Sequence, residues 1–132
     1  MNPINPDSFE FDKAIDAEYL QSLYENDYQY IAEIFKTAID HYDEDVDAIV
    51  ANYSSGNLDG LKRAIHKIKP SFGFIGMPRM QQQCKDFEDA CVKATSVGEL
   101  TTGYQKILND LVVCKQILET DYQKLIAYNQ SL

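Results

Sequence analysis

The segment His66-Lys67-Ile68-Lys69-Pro70-Ser71 sets one imidazole among cations in an otherwise acidic chain. From Leu61 through Lys85 there is no Asp or Glu, yet the window holds Lys62, Arg63, Lys67, Lys69, Arg79 and Lys85, half of the 12 Lys and Arg in the sequence. All 21 acidic residues lie elsewhere. An imidazole, with an ordinary pKa of about 6.5, is a competent nucleophile near pH 7. Cations one helical turn away offset the charge of an anionic group, and phosphoryl transfer is catalysed mostly by positioning and electrostatics. The spacing predicts that His66 accepts a phosphoryl group and that Lys69 stabilises it, with Lys62, Arg63 and Lys67 as auxiliary cations.

Helices must position these groups. Residues 1–12 carry two prolines and no sustained period, so they are expected to form an extended or frayed lead-in. Asp16 to Tyr24 predicts a short amphipathic helix. Asn26 or Asp27 can cap a long one carrying Ile31, Phe35, Ala38, Tyr42, Ile49 and Tyr53, which ends at Ser54-Ser55-Gly56. Asn57 or Asp59 can cap the helix that bears His66. Gly76-Met77-Pro78 breaks the chain before a fourth helix with Met80, Cys84, Phe87 and Cys91, and Thr95 to Gly98 precedes a last one from about Leu100 to Tyr128. No stretch alternates with period two, and the connections are short. The expected fold is all-α, an antiparallel up-and-down four-helix bundle with a short additional N-terminal helix, occupying residues 13–132 as one domain.

On the third helix Leu61, Ile65, Ile68, Phe72 and Ile75 recur at spacings of four and three, the pattern of a buried seam. At about 100° per residue His66 lies about 140° from the centre of that seam, so it should face solvent. Lys62, Arg63 and Lys69 fall within about 60° of it, and Gly73 lies nearly beneath it two turns on. The missing side chain at Gly73 is expected to admit a partner's active-site cleft, with Pro70, Phe74 and Met77 as further docking contacts; the alternative for Phe74 and Met77 is to fill the turn into the next helix, and Phe74, far from the seam, favours contact.

Other chemistry finds little support. A net charge of −9 over 132 residues argues against nonspecific nucleic-acid binding and for a protein partner. No apolar run approaches the roughly 18 to 20 residues that span a bilayer, and the N-terminus lacks the basic-then-apolar build of a signal peptide, so neither membrane association nor export is expected and a cytoplasmic location is. Cys84, Cys91 and Cys114 form an odd set without a C-x-x-C pair and read as free core thiols. His41 sits among acids, but neither histidine has a Glu three residues before it, as a bundle carboxylate metal site requires, so no metal is expected. Gln81, Gln82 and Gln83 are expected to face solvent.

These residues resemble the histidine phosphotransfer (HPt) domain family, whose signature H-x-L-K-G-x-x-x-x-x-G-x-x-x-L reads here as His66, Ile68, Lys69, Pro70, Gly76 and Met80. The resemblance is strongest over residues 61–91. In that family a Gln or Glu commonly lies 22 positions after the histidine and near the imidazole, and Glu88 stands at that position. The resemblance implies a relay carrier: His66 takes a phosphoryl group, on Nε2, from a receiver-domain aspartate and passes it to a second receiver. The partners implied are the receiver domains of hybrid sensor kinases and response regulators. It implies no cofactor of this chain's own, with magnesium supplied by the receiver, and no ATP-dependent kinase activity, in keeping with the absence of a P-loop or dinucleotide-type glycine loop.

Pro70 departs from the usual Gly of that signature. Proline has no N–H to donate to the carbonyl of His66, and within a helix it costs roughly 3 kcal/mol. Because the apolar seam stays in phase from Leu61 to Ile75, a kinked but continuous helix is expected. The rival reading is a noncatalytic bundle that docks signalling domains through the same basic face. In that case His66 would be replaceable by Gln.

Overall fold

Three helix starts are fixed by side chains that take up an otherwise orphaned backbone N–H. Asp16 accepts from the N–H of Tyr19, Asp27 from Tyr30 and Asn57 from Gly60, at 3.0, 3.0 and 2.9 Å. In a computed structural model that describes residues 9–131, they begin α1 (Ala17–Tyr24), α2 (Tyr28–Ser54) and α3 (Leu58–Phe74). The fourth helix, α4 (Pro78–Lys93), starts on a proline, whose fixed φ suits the first helical turn. A 3-10 turn, Val97–Leu100, leads into α5 (Thr101–Gln130).

Pairs of contacts taken in sequence order show how the long helices run. Between α2 and α5, Asn129 donates to the carbonyl of Tyr28, Tyr42 to that of Leu111, and Tyr53 meets Thr101. Between α3 and α4, His66 meets Glu88 while Gly73 lies against Gln81. Lys67 reaches back from α3 to Asp45 on α2, and Tyr42 packs on Phe72. Gln83 on α4 bonds Asp110 on α5, with Phe87 beside Gly103. In each pair one number rises as the other falls, so α2 to α5 form an antiparallel four-helix bundle.

The seam expected on α3 is the core. Leu61, Ile65, Phe72 and Ile75 are fully buried and Ile68 almost so, joined by Phe35, Ile49, Cys84, Leu111, Leu118 and Leu125 from the other helices. Burial of roughly 2 kcal/mol per large apolar side chain makes this seam the reason α3 survives Pro70 as one helix. Cys84 and Cys91 are buried, Cys114 half-buried, and all three are free thiols. Burial pushes the Cys84 thiol up to about 12 and those of Cys91 and Cys114 up to about 11.

Residues 9–12 are non-helical, but they are not frayed. Phe9 and Phe11 pack with Tyr28, Phe9 also meets Tyr128, and the Asp12 N–H donates at 2.7 Å to the buried carboxylate of Asp121. Aromatic burial anchors the expected lead-in to the far ends of α2 and α5; its first eight residues lie outside the described part of the chain.

After this segment α1 is mounted on the α3–α4 turn. The Asp16 N–H donates to the Gly76 carbonyl at 2.7 Å, Tyr24 Oη donates to the Phe74 carbonyl at 3.0 Å, and Leu20 is fully buried. Gly76 has φ +74°, and a Cβ there would lie 2.8 Å from Leu20. The turn needs glycine both for its backbone and for the close approach of α1.

Candidate functional site

Antiparallel register puts Glu88 of α4 opposite His66 and Lys69 of α3. His66 Nδ1 lies 2.6 Å from Glu88 Oε2, and Lys69 Nζ donates to Glu88 Oε1 at 2.7 Å. The imidazole is 67% exposed, whereas the Glu88 and Lys69 side chains are 16% and 22% exposed. The hydrogen bond from Lys69 holds the Glu88 carboxyl below the usual carboxylate range; burial opposes this and the His66 hydrogen bond adds to it. An ionised carboxylate only accepts, so Nδ1 must carry the proton. In the neutral ring the lone pair then sits on Nε2, which has no protein partner among the described residues.

Local acids temper the basic window. Arg63 pairs with Asp59 at 2.7 Å, Lys67 with Asp45 at 3.2 Å, Lys69 with Glu88 and Lys85 with Asp89 at 3.3 Å. A concentrated positive field was the expectation from sequence; four of its six cations are instead matched, leaving Lys62 and Arg79 without an ion pair among the described residues. Asp59 lies one turn before Arg63, but Asp45, 6% exposed on α2, gave no signal in the sequence because its partner is 22 residues away on another helix.

The docking expectations divide. Pro70 and Phe74 are exposed, Phe74 by 57%. Met77, by contrast, is only 2% exposed and belongs to the core beneath α1. Gly73 is also buried: a Cβ there would stand 2.9 Å from Gln81 Nε2, so the Gln81 side chain takes much of the space beside it, though both residues line the groove that α1 forms with Pro70 and Phe74. Gln81 is correspondingly half-buried, as is Gln83, whose amide donates to Asp110 at 2.6 Å; Gln82 faces solvent. Sequence reasoning missed Tyr19 and Leu23 of α1, which are 40% and 46% exposed and line, with Tyr24, Pro70 and Phe74, a shallow groove of about 280 Å³. Their signal was two apolar residues left over on a short helix whose Leu20 already faces the core.

A larger cleft, about 710 Å³ between the start of α1, the start of α4 and α5, does not include His66. The imidazole stands on an open surface, outside that cleft. Among the described residues no helix is long and apolar enough to cross a membrane.

Comparison with known proteins agrees with this architecture. The Hpt domain family model matches residues 33–125. No curated protein sequence matches the chain. Among solved structures it is similar to the HPT domain of an Hpt sensor hybrid histidine kinase from Shewanella, with TM-score 0.74 and 18% identity over 84% of this chain and 95% of that one. It is also similar to histidine-containing phosphotransfer protein B from Pseudomonas aeruginosa, with TM-score 0.69 and 17% identity over 85% of this chain and 96% of the other. At such identities these likenesses establish a shared fold. The family match spans most of α2 through to most of α5, and α1 precedes it.

Proposed function

The chain belongs to the Hpt domain family and serves histidine phosphotransfer in two-component signalling, and from that premise we propose that His66 is the phosphoacceptor, taking its group from the aspartyl phosphate of one receiver domain and giving it to the aspartate of another. The observation that carries this reading is the hydrogen bond from Nδ1 to Glu88, which leaves Nε2 as the open, nucleophilic nitrogen on an exposed face. Nε2 attacks phosphorus as the phosphorus–oxygen bond to the donor aspartate breaks, and the bonding pair leaves with that carboxylate. The ring keeps its Nδ1 proton and becomes cationic, with the Glu88 carboxylate 2.6 Å away to balance the charge. Onward transfer reverses these steps on a second receiver.

Lys69 and the unpaired Lys62 are the cations assigned to the phosphoryl oxygens. Arg63 and Lys67 are held by Asp59 and Asp45 and contribute less. The receiver domains of hybrid sensor kinases and response regulators supply the acidic pocket, and magnesium bound there offsets phosphoryl charge; this chain needs no cofactor. Docking is assigned to Pro70 and Phe74 with Tyr19 and Leu23 across the groove. A cytoplasmic setting follows from such partners.

The test is to mix the protein with a panel of phosphorylated receiver domains and follow labelled phosphate, comparing wild type with His66→Gln. Acid-labile, base-stable label on the wild type alone is expected. Equal binding of both forms to receivers without labelling of either would replace this reading with the noncatalytic docking one.

A further inference from the structure

One carboxylate serves two groups at this site. Glu88 Oε2 takes the ring N–H and Oε1 takes the Lys69 ammonium, both within 2.7 Å, so in the unphosphorylated protein the best-placed cation is already neutralised. Resting on the reading of His66 as phosphoacceptor, we propose that Glu88 is an exchange residue: it holds Lys69 while His66 is free, yields it to the phosphoryl group once His66 carries one, and keeps the Nδ1 proton throughout.

The exchange follows from charge. A phosphoryl group carries about −1.5 to −2 near pH 7 and three strong acceptor oxygens, against −1 on a carboxylate, so it competes successfully for an ammonium on the same helix turn. Once Lys69 has moved, Glu88 has one cation fewer upon it and accepts the ring N–H more strongly. That proton matters for onward transfer. As the acceptor's carboxylate oxygen bonds to phosphorus, the phosphorus–Nε2 bond breaks and its pair returns to Nε2; a ring that still holds Nδ1–H leaves as neutral imidazole, whereas a deprotonated one would have to leave as imidazolate. Glu88 thereby keeps phospho-His66 in its transfer-ready form further into the alkaline range than a neutral amide would. The charged and titratable groups on the helix stretches that flank this site are Asp59, Lys62, Arg63, Lys67 and Lys69 on α3, Lys85, Glu88, Asp89 and the thiols of Cys84 and Cys91 on α4, and Asp45 on α2; Glu88 alone among them bonds the imidazole.

The experiment phosphorylates the protein chemically with phosphoramidate and follows phospho-His66 by phosphorus NMR against pH, in wild type, Glu88→Gln, Lys69→Gln and the double variant, with His66→Gln as control. Glu88→Gln keeps an oxygen for the ring N–H but no charge. It should lower the pH at which the phosphorylated ring loses its proton by about one unit, a tenfold fall in proton affinity, and slow phosphoryl loss up to about tenfold above that pH. An unchanged midpoint and lifetime would overturn the proposal. If Lys69 has moved onto the phosphoryl group, the Lys69 and Glu88 substitutions should shift this midpoint additively in the phosphorylated protein. Strong coupling between them there would mean that Lys69 never left Glu88, and the exchange would be refuted. A wild type with no His66-dependent signal would instead retract the phosphoacceptor reading, and the exchange with it.

Discussion

Two glycines at the end of α3 should respond very differently to alanine, because the same added methyl meets different neighbours. At Gly76 φ is +74°, and the new Cβ would stand 2.8 and 3.0 Å from two atoms of Leu20 on α1 and 3.2 Å from Ile15 just before it, both buried core side chains with little room to swing aside. The left-handed backbone costs an L-residue about 1 to 2 kcal/mol and overpacking a core about 1 to 3, against which the stiffer unfolded chain returns about 0.4 to 1. Gly76→Ala should therefore destabilise the protein by about 2 to 4 kcal/mol. At Gly73 the backbone is helical and the atom met, at 2.9 Å, is the far end of the flexible Gln81 side chain. There alanine gains up to about 1 kcal/mol of helix propensity and displaces one amide, so the net change should lie within about 0.5 kcal/mol. Urea unfolding followed by far-ultraviolet circular dichroism measures both. Equal losses from the two variants, or a loss below about 1 kcal/mol at Gly76, would refute the account of how α1 is mounted on this turn.

Leu23→Asp and Phe74→Ser should each weaken binding of a receiver domain about 5- to 30-fold in a titration, as loss of a central apolar contact does, while leaving chemical phosphorylation of His66 by phosphoramidate unchanged. Lys67→Met should cost about 1 to 3 kcal/mol in urea unfolding because it strands the buried Asp45 carboxylate without its cation, whereas Lys62→Met, at an unpaired position, should stay within about 0.5. Stability should also fall at both ends of the pH scale. Glu88 is depressed in the folded protein, so its contribution is present above its ordinary value near 4.5 and is lost as pH falls through its lower folded value; the three thiols are raised, so theirs is intact below about 9 and is lost as pH climbs towards 11 and 12. Glu88→Gln should flatten the acid limb and Cys84→Ala the alkaline one in melts run from pH 3 to 11.

The parts of the fold that sequence conveys best are those set by periodicity and caps. Leu61, Ile65, Ile68, Phe72 and Ile75 repeat at helical spacing and are the core of α3; Asp16, Asp27 and Asn57 are helix starts whose side chains bond the backbone three residues on. The His66–Glu88 pair was legible through family spacing, since nothing in the residues between fixes which turn of α4 faces the ring. Projection on a single helix failed where a neighbour fills the space, since it left Gly73 open where Gln81 lies; and of the two roles open to Met77, docking contact or filling of the turn, its burial fits the second. Charge counting along the chain failed for the same reason. Asp45 and Glu88 come from other helices to meet Lys67 and Lys69, and no window of sequence contains both partners.

This compensation of charge bears on how a receiver finds the site. The protein carries −9 overall, and the cations near His66 are mostly matched within 4 Å, so no strong positive field extends towards an acidic partner. Long-range steering raises association rates only when opposite fields face each other, and it decays steeply with salt, the Debye length shrinking from about 10 Å at 0.1 M to about 3 Å at 1 M. On the docking surface proposed above, recognition rests on the apolar groove of Tyr19, Leu23 and Phe74, with the Lys69 charge held by Glu88 until His66 is phosphorylated. Raising salt from 50 to 500 mM should then leave the association rate unchanged or raise it slightly, by screening repulsion between two acidic proteins, whereas a steered encounter would slow steeply. Stopped-flow transfer from a phosphorylated receiver distinguishes the two; a tenfold slowing over that range would mean that Lys62 and Arg79, the two cations left unpaired, guide the partner after all.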